Sequence, residues 1–143
     1  MSKPNVQAFF QNLNINTMDL VDEFYDEDVH FQDPVVDIKG RAKLKAYYAK
    51  LYQDVESISF DCIDEIINED VHALVWKMNL KAKLGGGKLI VVDGISYIRF
   101  GGREGKAIYH RDYFDLGEFV YENVPVLAGI VKFVKKKLSA HTD

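Results

Sequence analysis

A single change of hydrophobic period constrains this chain most. Up to residue 52 the apolar residues recur at spacings of three and four; beyond it they alternate with polar ones. The first spacing marks amphipathic helices, and the second marks strands with one buried face. Phe9, Phe10 and Leu13 predict a first helix beginning near Asn5. Asn16 is a good N-cap for a second, with Asp19 three residues on and Leu20, Val21, Phe24 and Tyr25 as its apolar side. Leu44, Tyr47, Tyr48 and Leu51 predict a third over 41–52, with Gly40 ending the loop before it. Between the second and third, acidic surface chain at 26–28 leads into a short strand at 29–32. That strand stops at Asp33-Pro34, because proline removes a ladder donor.

Past the change of period, strands are predicted at 58–67, 71–84, 88–100 and 107–114. Asn68-Glu69-Asp70, Gly85-Gly86-Gly87 and 101–105 are the turns between them. Helices first and then one curled antiparallel meander define an α+β domain, and 143 residues suit a single one spanning 1–143. The helices cover one face of the sheet and leave room for a cone-like cavity. The other face wants a partner, and two-fold pairing with a second copy is the simplest one. A last helix is expected at about 125–138, with Pro125 at its first position. Its apolar Val126, Leu127, Ile130, Val131, Phe133, Val134 and Leu138 face basic Lys132, Lys135, Lys136 and Lys137. Such a helix can close the cone, pack on a partner subunit or lie on an anionic membrane; packing is the ordinary role, so membrane contact is not expected.

Composition narrows the function classes. The lone Cys62 excludes an internal disulfide framework and a cysteine-rich metal site. The net charge is −4, with a balance of −9 over residues 1–70 (15 acids, 6 bases) and +5 over 71–143 (7 acids, 12 bases). An acidic chain is poorly suited to nucleic acid. With no apolar run near 20 residues and no leader pattern at the start, a cytoplasmic setting is expected. Gly85-Gly86-Gly87 lacks the Lys-Ser/Thr of a phosphate loop and sits between strands. His30, His72, His110 and His141 have no metal-ligand spacing, so neither metal nor cofactor is expected.

Two segments carry a resemblance. Leu13-Asn14 through Phe24-Tyr25 to Phe31-Gln32-Asp33-Pro34-Val35, with Gly40 following, resembles the NTF2-like (SnoaL-like) superfamily, as does His110-Arg111-Asp112-Tyr113-Phe114-Asp115-Leu116. The second segment is most similar to the limonene epoxide hydrolase branch. The resemblance spans roughly residues 5–128. It implies an α+β cone enclosing a deep apolar pocket, usually as a dimer, and leaves the activity open, because one fold hosts many chemistries. Against ketosteroid isomerases, Asp33 falls where the proton-shuttling aspartate stands, while the two oxyanion donors fall on Phe9 and Ser96. Phe9 has no donor and Ser96 is a weaker one than a neutral acid, so that chemistry is disfavoured. Against limonene epoxide hydrolase, Asp112 keeps one aspartate, while Lys77 replaces the arginine and Asn79 the second aspartate. The water-positioning tyrosine and asparagine fall on Phe31 and Asp33. Neither an amide nor a lysine reproduces what it replaces.

The residues themselves give a partly different picture. Alternation puts His110 and Asp112 on one face of the last strand, with Arg111 and Tyr113 on the other. A carboxylate beside a histidine is a workable acid–base pair; its plain alternative is a structural ion pair. Asp33 is either a base pointing into the cone or a turn-former capping backbone N–H groups. Alternation groups Lys77 and Asn79 with Lys81 and Lys83 on a solvated face, opposite Trp76, Met78 and Leu80. The resemblance instead puts Lys77 and Asn79 in the cavity and turns Trp76 and Met78 toward the dimer face. Tyr47, Tyr48, Tyr52 and Tyr97 are core or interface aromatics, any of which could offer a hydroxyl at a cavity rim.

The expectation is a homodimeric cone that binds a small, largely apolar molecule. As an enzyme (hydrolase, isomerase or cyclase) it would use Asp112 helped by His110, Asp33 as a second acid–base group, and Lys77 or Ser96 at the oxyanion, with Phe9, Phe31 and Asn79 lining the pocket. The alternatives are a carrier or sensor without catalysis, and a structural dimer whose cavity is filled by its own side chains.

Overall fold

Six strands and three short α-helices make up a computed structural model that describes residues 4–83, 86–115 and 136–138. In chain order they are α1 (Val6–Asn12), α2 (Asp19–Phe24), β1 (Tyr25–Gln32), β2 (Asp37–Lys39), α3 (Arg41–Gln53), β3 (Val55–Asn68), β4 (Val71–Ala82), β5 (Leu89–Phe100) and β6 (Ala107–Phe114). The strands form one curved, unclosed sheet in the order β2-β1-β6-β5-β4-β3, with the N-terminal helices packed on one face. The α+β architecture is therefore the one the change of period predicts. The meander β3–β6 is antiparallel throughout, whereas β1 joins β6 in parallel.

Several local expectations are corrected. Asn16 does not cap α2. Its N–H donates to Asn14 Oδ1, Thr17 Oγ1 accepts from the Asn14 N–H, and the helix opens after Met18 without a side-chain cap. Asp19 and Asp22 in its first turn still complement the helix dipole. The acidic run 26–28 lies within β1, and β2, which pairs His30 with Lys39, has no counterpart among the predicted strands. On α3, Leu51 is exposed and Leu44 and Tyr48 are buried. The helix expected at 125–138 lies outside the described residues except for its last three positions.

The core fills the space between helices and sheet. Phe9 of α1 stacks on Phe24 of α2 with centroids 4.2 Å apart, and meets Tyr25 edge-on. Val21, Leu44, Leu74, Val92 and Ile98 complete the floor, each fully buried. Burial of side chains of this size contributes about 1.5–3 kcal/mol apiece. On β4 the buried set is His72, Leu74, Trp76 and Leu80, which fixes the inner face of the sheet. Lys77 and Asn79, one residue out of step, occupy the outer face.

Candidate functional site

The inner face carries a connected polar cluster inside this apolar layer. The ladder sets Leu74, Ser96 and Asp112 side by side across β4, β5 and β6, with His110 one pleat further along β6. Trp76 Nε1–H donates to Ser96 Oγ at 2.9 Å, and the Ser96 hydroxyl donates to Asp112 Oδ1. His110 Nε2 lies 2.6 Å from the same Oδ1. His110 Nδ1 is 2.7 Å from the Tyr25 hydroxyl, which is 2.8 Å from that of Tyr48. One proton arrangement satisfies every group. Ser96 spends its proton on Oδ1, so the carboxylate accepts and His110 Nε2–H donates to it. The Nδ1 lone pair then takes the Tyr25 proton, and Tyr48 donates to Tyr25. A satisfied buried network of this kind holds its members in one geometry.

Burial differs sharply along the chain of contacts. The His110 side chain is 0% exposed, while that of Asp112 is 18% exposed. Both hydrogen bonds to Asp112 from described residues end on Oδ1, which leaves Oδ2 free of them. Phe31 meets the His110 ring edge-on at 4.9 Å and Phe10 stacks on it at 6.0 Å. Trp76 carries Phe60 and Phe114 against it, at 5.6 and 6.4 Å. Desolvation by burial holds the hydroxyls of Tyr25 and Tyr48 well above the ordinary tyrosine range, and the Asp112 charge adds to it. Tyr52 is raised by the same two causes, and among the described residues its hydroxyl has no hydrogen bond. Tyr47 is raised first by burial, then by its hydrogen bond to Asp33, with a smaller push from Asp112.

The residues singled out in the sequence separate into three groups. Asp112, His110 and Ser96 meet, with Phe31 against the imidazole. Ser96 is fully buried with both its hydrogen-bonding roles taken, so it orients Asp112 and has no proton left for an oxyanion. Asp33 and Phe9 stand one layer away. Asp33 Oδ1 accepts from the Val35 and Val36 N–H groups, and its Oδ2 accepts from the Tyr47 hydroxyl at 2.6 Å, so both oxygens serve the turn and its anchor. Phe9 is a core residue. Lys77 and Asn79 are not brought to the cluster at all. Across the ladder Lys77 faces Asp61 and Asp93, and the Asn79 amide donates to Asp61 Oδ2 at 3.1 Å and Ser59 Oγ at 3.4 Å. Their placement in the cavity is thus corrected, and Trp76 and Met78 turn inward. A one-residue offset suffices for the inversion, because it moves a whole strand's side chains to the other face.

Sequence reasoning missed Tyr25, Tyr48 and Trp76 as members of the cluster, and Gly94 as its enabling residue. Gly94 lies opposite Trp76 in the ladder, and a Cβ there would sit 2.3 Å from Trp76 Cη2. A glycine inside a strand is the available signal, since it often marks close approach of another group. Among the described residues no three His, Cys, Asp or Glu side chains gather as a metal site needs, and no helix is long and apolar enough to cross a membrane.

The SnoaL-like domain family matches residues 6–110 of the sequence. No curated protein matches it. Solved structures share the fold at low identity. One is a hypothetical protein with a ketosteroid isomerase-like fold from Catenulispora acidiphila, in complex with trimethylamine. It is 15% identical, with a TM-score of 0.69 over 87% of this chain and 96% of that one. A protein from Jannaschia sp. CCS1, named without established activity as a SnoaL-like polyketide cyclase, is 12% identical, with a TM-score of 0.67 over 76% and 78%. An NTF2-like protein of unknown function from Burkholderia pseudomallei is 15% identical, with a TM-score of 0.65 over 73% and 82%.

Proposed function

The chain belongs to the SnoaL-like domain family, and on that premise we propose that it is an acid–base enzyme that moves a carbon-bound proton in a small, largely apolar substrate. One observation carries the reading. A mostly buried carboxylate, Asp112, is held through Oδ1 by Ser96 and His110, and Oδ2 takes no hydrogen bond from the described residues. Such a group is positioned without being consumed. Asp112 Oδ2 takes a proton from the carbon beside a carbonyl, and the C–H electron pair passes into the carbonyl oxygen as an enolate. The Tyr52 hydroxyl, kept protonated by burial and free of hydrogen bonds from the described residues, is the donor for that oxygen. Asp112 then returns the proton to a different carbon, which is an isomerisation, or the enolate carbon bonds to a second carbonyl carbon while the first C=O re-forms and Asp112 gives its proton to the new alkoxide oxygen, which is a ring closure. Ser96 and His110 act through Asp112 as positioning residues.

The test is turnover of a panel of small enolisable ketones by the unaltered chain and by Asp112→Asn. The amide keeps the shape and cannot accept the proton, so the rate should fall about 10²–10⁴-fold with the melting curve retained. Equal turnover in the variant refutes Asp112 as the base. Ligand-induced stabilisation without turnover in either protein favours the carrier reading over catalysis.

The outer sheet face supports a second copy of the chain as partner. Val75, Ile95 and Tyr113 share one cross-strand row there, with Ala73, Tyr97 and Arg111 in the next. Tyr113 is 48% exposed and carries the Arg111 guanidinium 4.8 Å from its ring centre.

A further inference from the structure

A second cluster lies where α1 crosses the β3–β4 end of the sheet. A groove of about 490 Å³ opens there between the first turn of α1 and Glu65, Ile67 and His72. It shares no residue with the Asp112 cluster. His72 stands in the same cross-strand row as His110, with buried Ile98 between them, roughly 10 Å apart by strand spacing.

The His72 side chain is nine-tenths buried, and neither ring nitrogen has a hydrogen-bond partner among the described residues. A buried polar atom left in that state calls for an explanation. Glu65 Oε1 lies 3.5 Å from Nδ1, within ion-pair range but not a hydrogen bond. Glu65 is itself three-quarters buried and accepts from the Gln7 amide through Oε2 at 2.8 Å. Among the described residues no lysine or arginine answers its charge. A desolvated carboxylate without a cation is unfavourable, and the groove is large enough for a small molecule to bring one.

We propose that this groove binds a small primary alkylammonium. Its N–H donors match the acceptors that reach the groove, Glu65 Oε1 and the Gln7 carbonyl, whose amide nitrogen is already engaged with Glu65, while the His72 ring lies behind Glu65 Oε1. Ala8 and Ile67 on the groove walls take the short alkyl chain. The distinction from a simple ion pair within the protein is the charge on His72. A protonated His72 would neutralise Glu65 by itself and leave the groove without a cationic ligand.

The experiment titrates the full chain with n-butylammonium chloride while the His72 ring C–H signals are followed by NMR. n-Butanol and sodium chloride at matched ionic strength are the comparisons. A saturable shift with butylammonium alone is expected. It should weaken about tenfold or more in Glu65→Gln, because a charge-assisted hydrogen bond is removed, and persist in Asp112→Asn, whose carboxylate belongs to the other cluster. If Glu65→Gln loses the native spectrum, Gln7→Met is read in its place with the same weakening expected. No saturable shift, an equal response to butanol, unchanged affinity in the folded variant, or a doubly protonated His72 ring at neutral pH without ligand each overturns the site. None of these results bears on Asp112 as a base, so the two readings fail separately.

Discussion

Gly94→Ala should disturb the Asp112 cluster from a position that touches none of its polar atoms. The new Cβ would meet Trp76 Cη2, Cζ2 and Cζ3 at 2.3, 2.5 and 2.7 Å, where carbon atoms pack at about 3.5–4.0 Å. The methyl group meets the outer edge of the indole's six-membered ring, and because the indole is rigid the ring must move as a whole. Moving it breaks the bond from Nε1 to Ser96 and loosens its contacts with Phe60 and Phe114. Overpacking of this kind costs about 1–3 kcal/mol, and loss of a buried hydrogen bond adds about 0.5–1.5 kcal/mol. Glycine replacement also restricts the unfolded chain, which offsets about 0.4–1 kcal/mol. The net expectation is about 0.5–4 kcal/mol of destabilisation, or roughly 2–16 °C in Tm for a domain this size. Trp76 is the sole tryptophan, so its emission reports on the displaced ring directly. Urea unfolding followed by that emission gives the cost. The same substitution in a Trp76→Phe background, followed by circular dichroism, gives the coupling. With the smaller ring present the penalty should shrink by at least half. Unaltered stability and emission, or an equal penalty in both backgrounds, would refute the account of Gly94 as the seat of Trp76.

Two further predictions follow from the inner and outer faces. Tyr25, Tyr47, Tyr48 and Tyr52 have folded-state pKa values raised from an unfolded value near 10. Their contribution is therefore full below pH 10 and is lost as pH rises above it, because the native state then holds protons that the unfolded chain releases. Four such groups give a slope of about 5 kcal/mol per pH unit well above pH 10. Ultraviolet difference absorbance should show their ionisation together with unfolding in one cooperative step; a smooth native-state titration of all eight tyrosines near pH 10 contradicts it. On the outer face, Tyr113→Asp should move the chain from dimer to monomer in sedimentation without unfolding it. A chain that sediments as a monomer before the substitution, or an unaltered dimer after it, removes this face as the interface.

How much could be read in advance depended on how each element is specified. β6 was legible to the residue because its alternating side chains end at a glycine-rich turn on one side. The other meander strands differ from expectation by three residues at most, for the same reason. β2 is three residues long, too short for any period, and exists through its pairing with β1. The start of β1 was hidden because Asp26, Glu27 and Asp28 have the composition of a loop, although the ladder to β6 and burial of Tyr25 draw them into the strand.

The site was legible only where one strand carried the signal. Period two alone puts His110 and Asp112 on a common face, and the fold keeps them there. Period two alone also separates Lys77 from Trp76, and the fold agrees with that alternation and not with the alignment that placed Lys77 inside. The physical reason is the asymmetry of the two errors. Burying Trp76, Leu74 and Leu80 contributes several kcal/mol by area, whereas turning them outward would bury Lys77 and Asn79 with no partner in view. A low-identity alignment carries no such penalty for slipping by one residue. The remaining members could not be read locally. Tyr25 opens a strand, Tyr48 lies on a helix and Ser96 sits mid-strand, and only the packing of α3 on β1, together with the pairing of β1 with β6, sets the two hydroxyls in line with His110 Nδ1. Ser96 and His110, its neighbours in the sheet, determine which Asp112 oxygen is left uncommitted. The acid–base capacity proposed for this chain is thus a property of the tertiary packing, carried by two residues whose own positions are visible in the sequence.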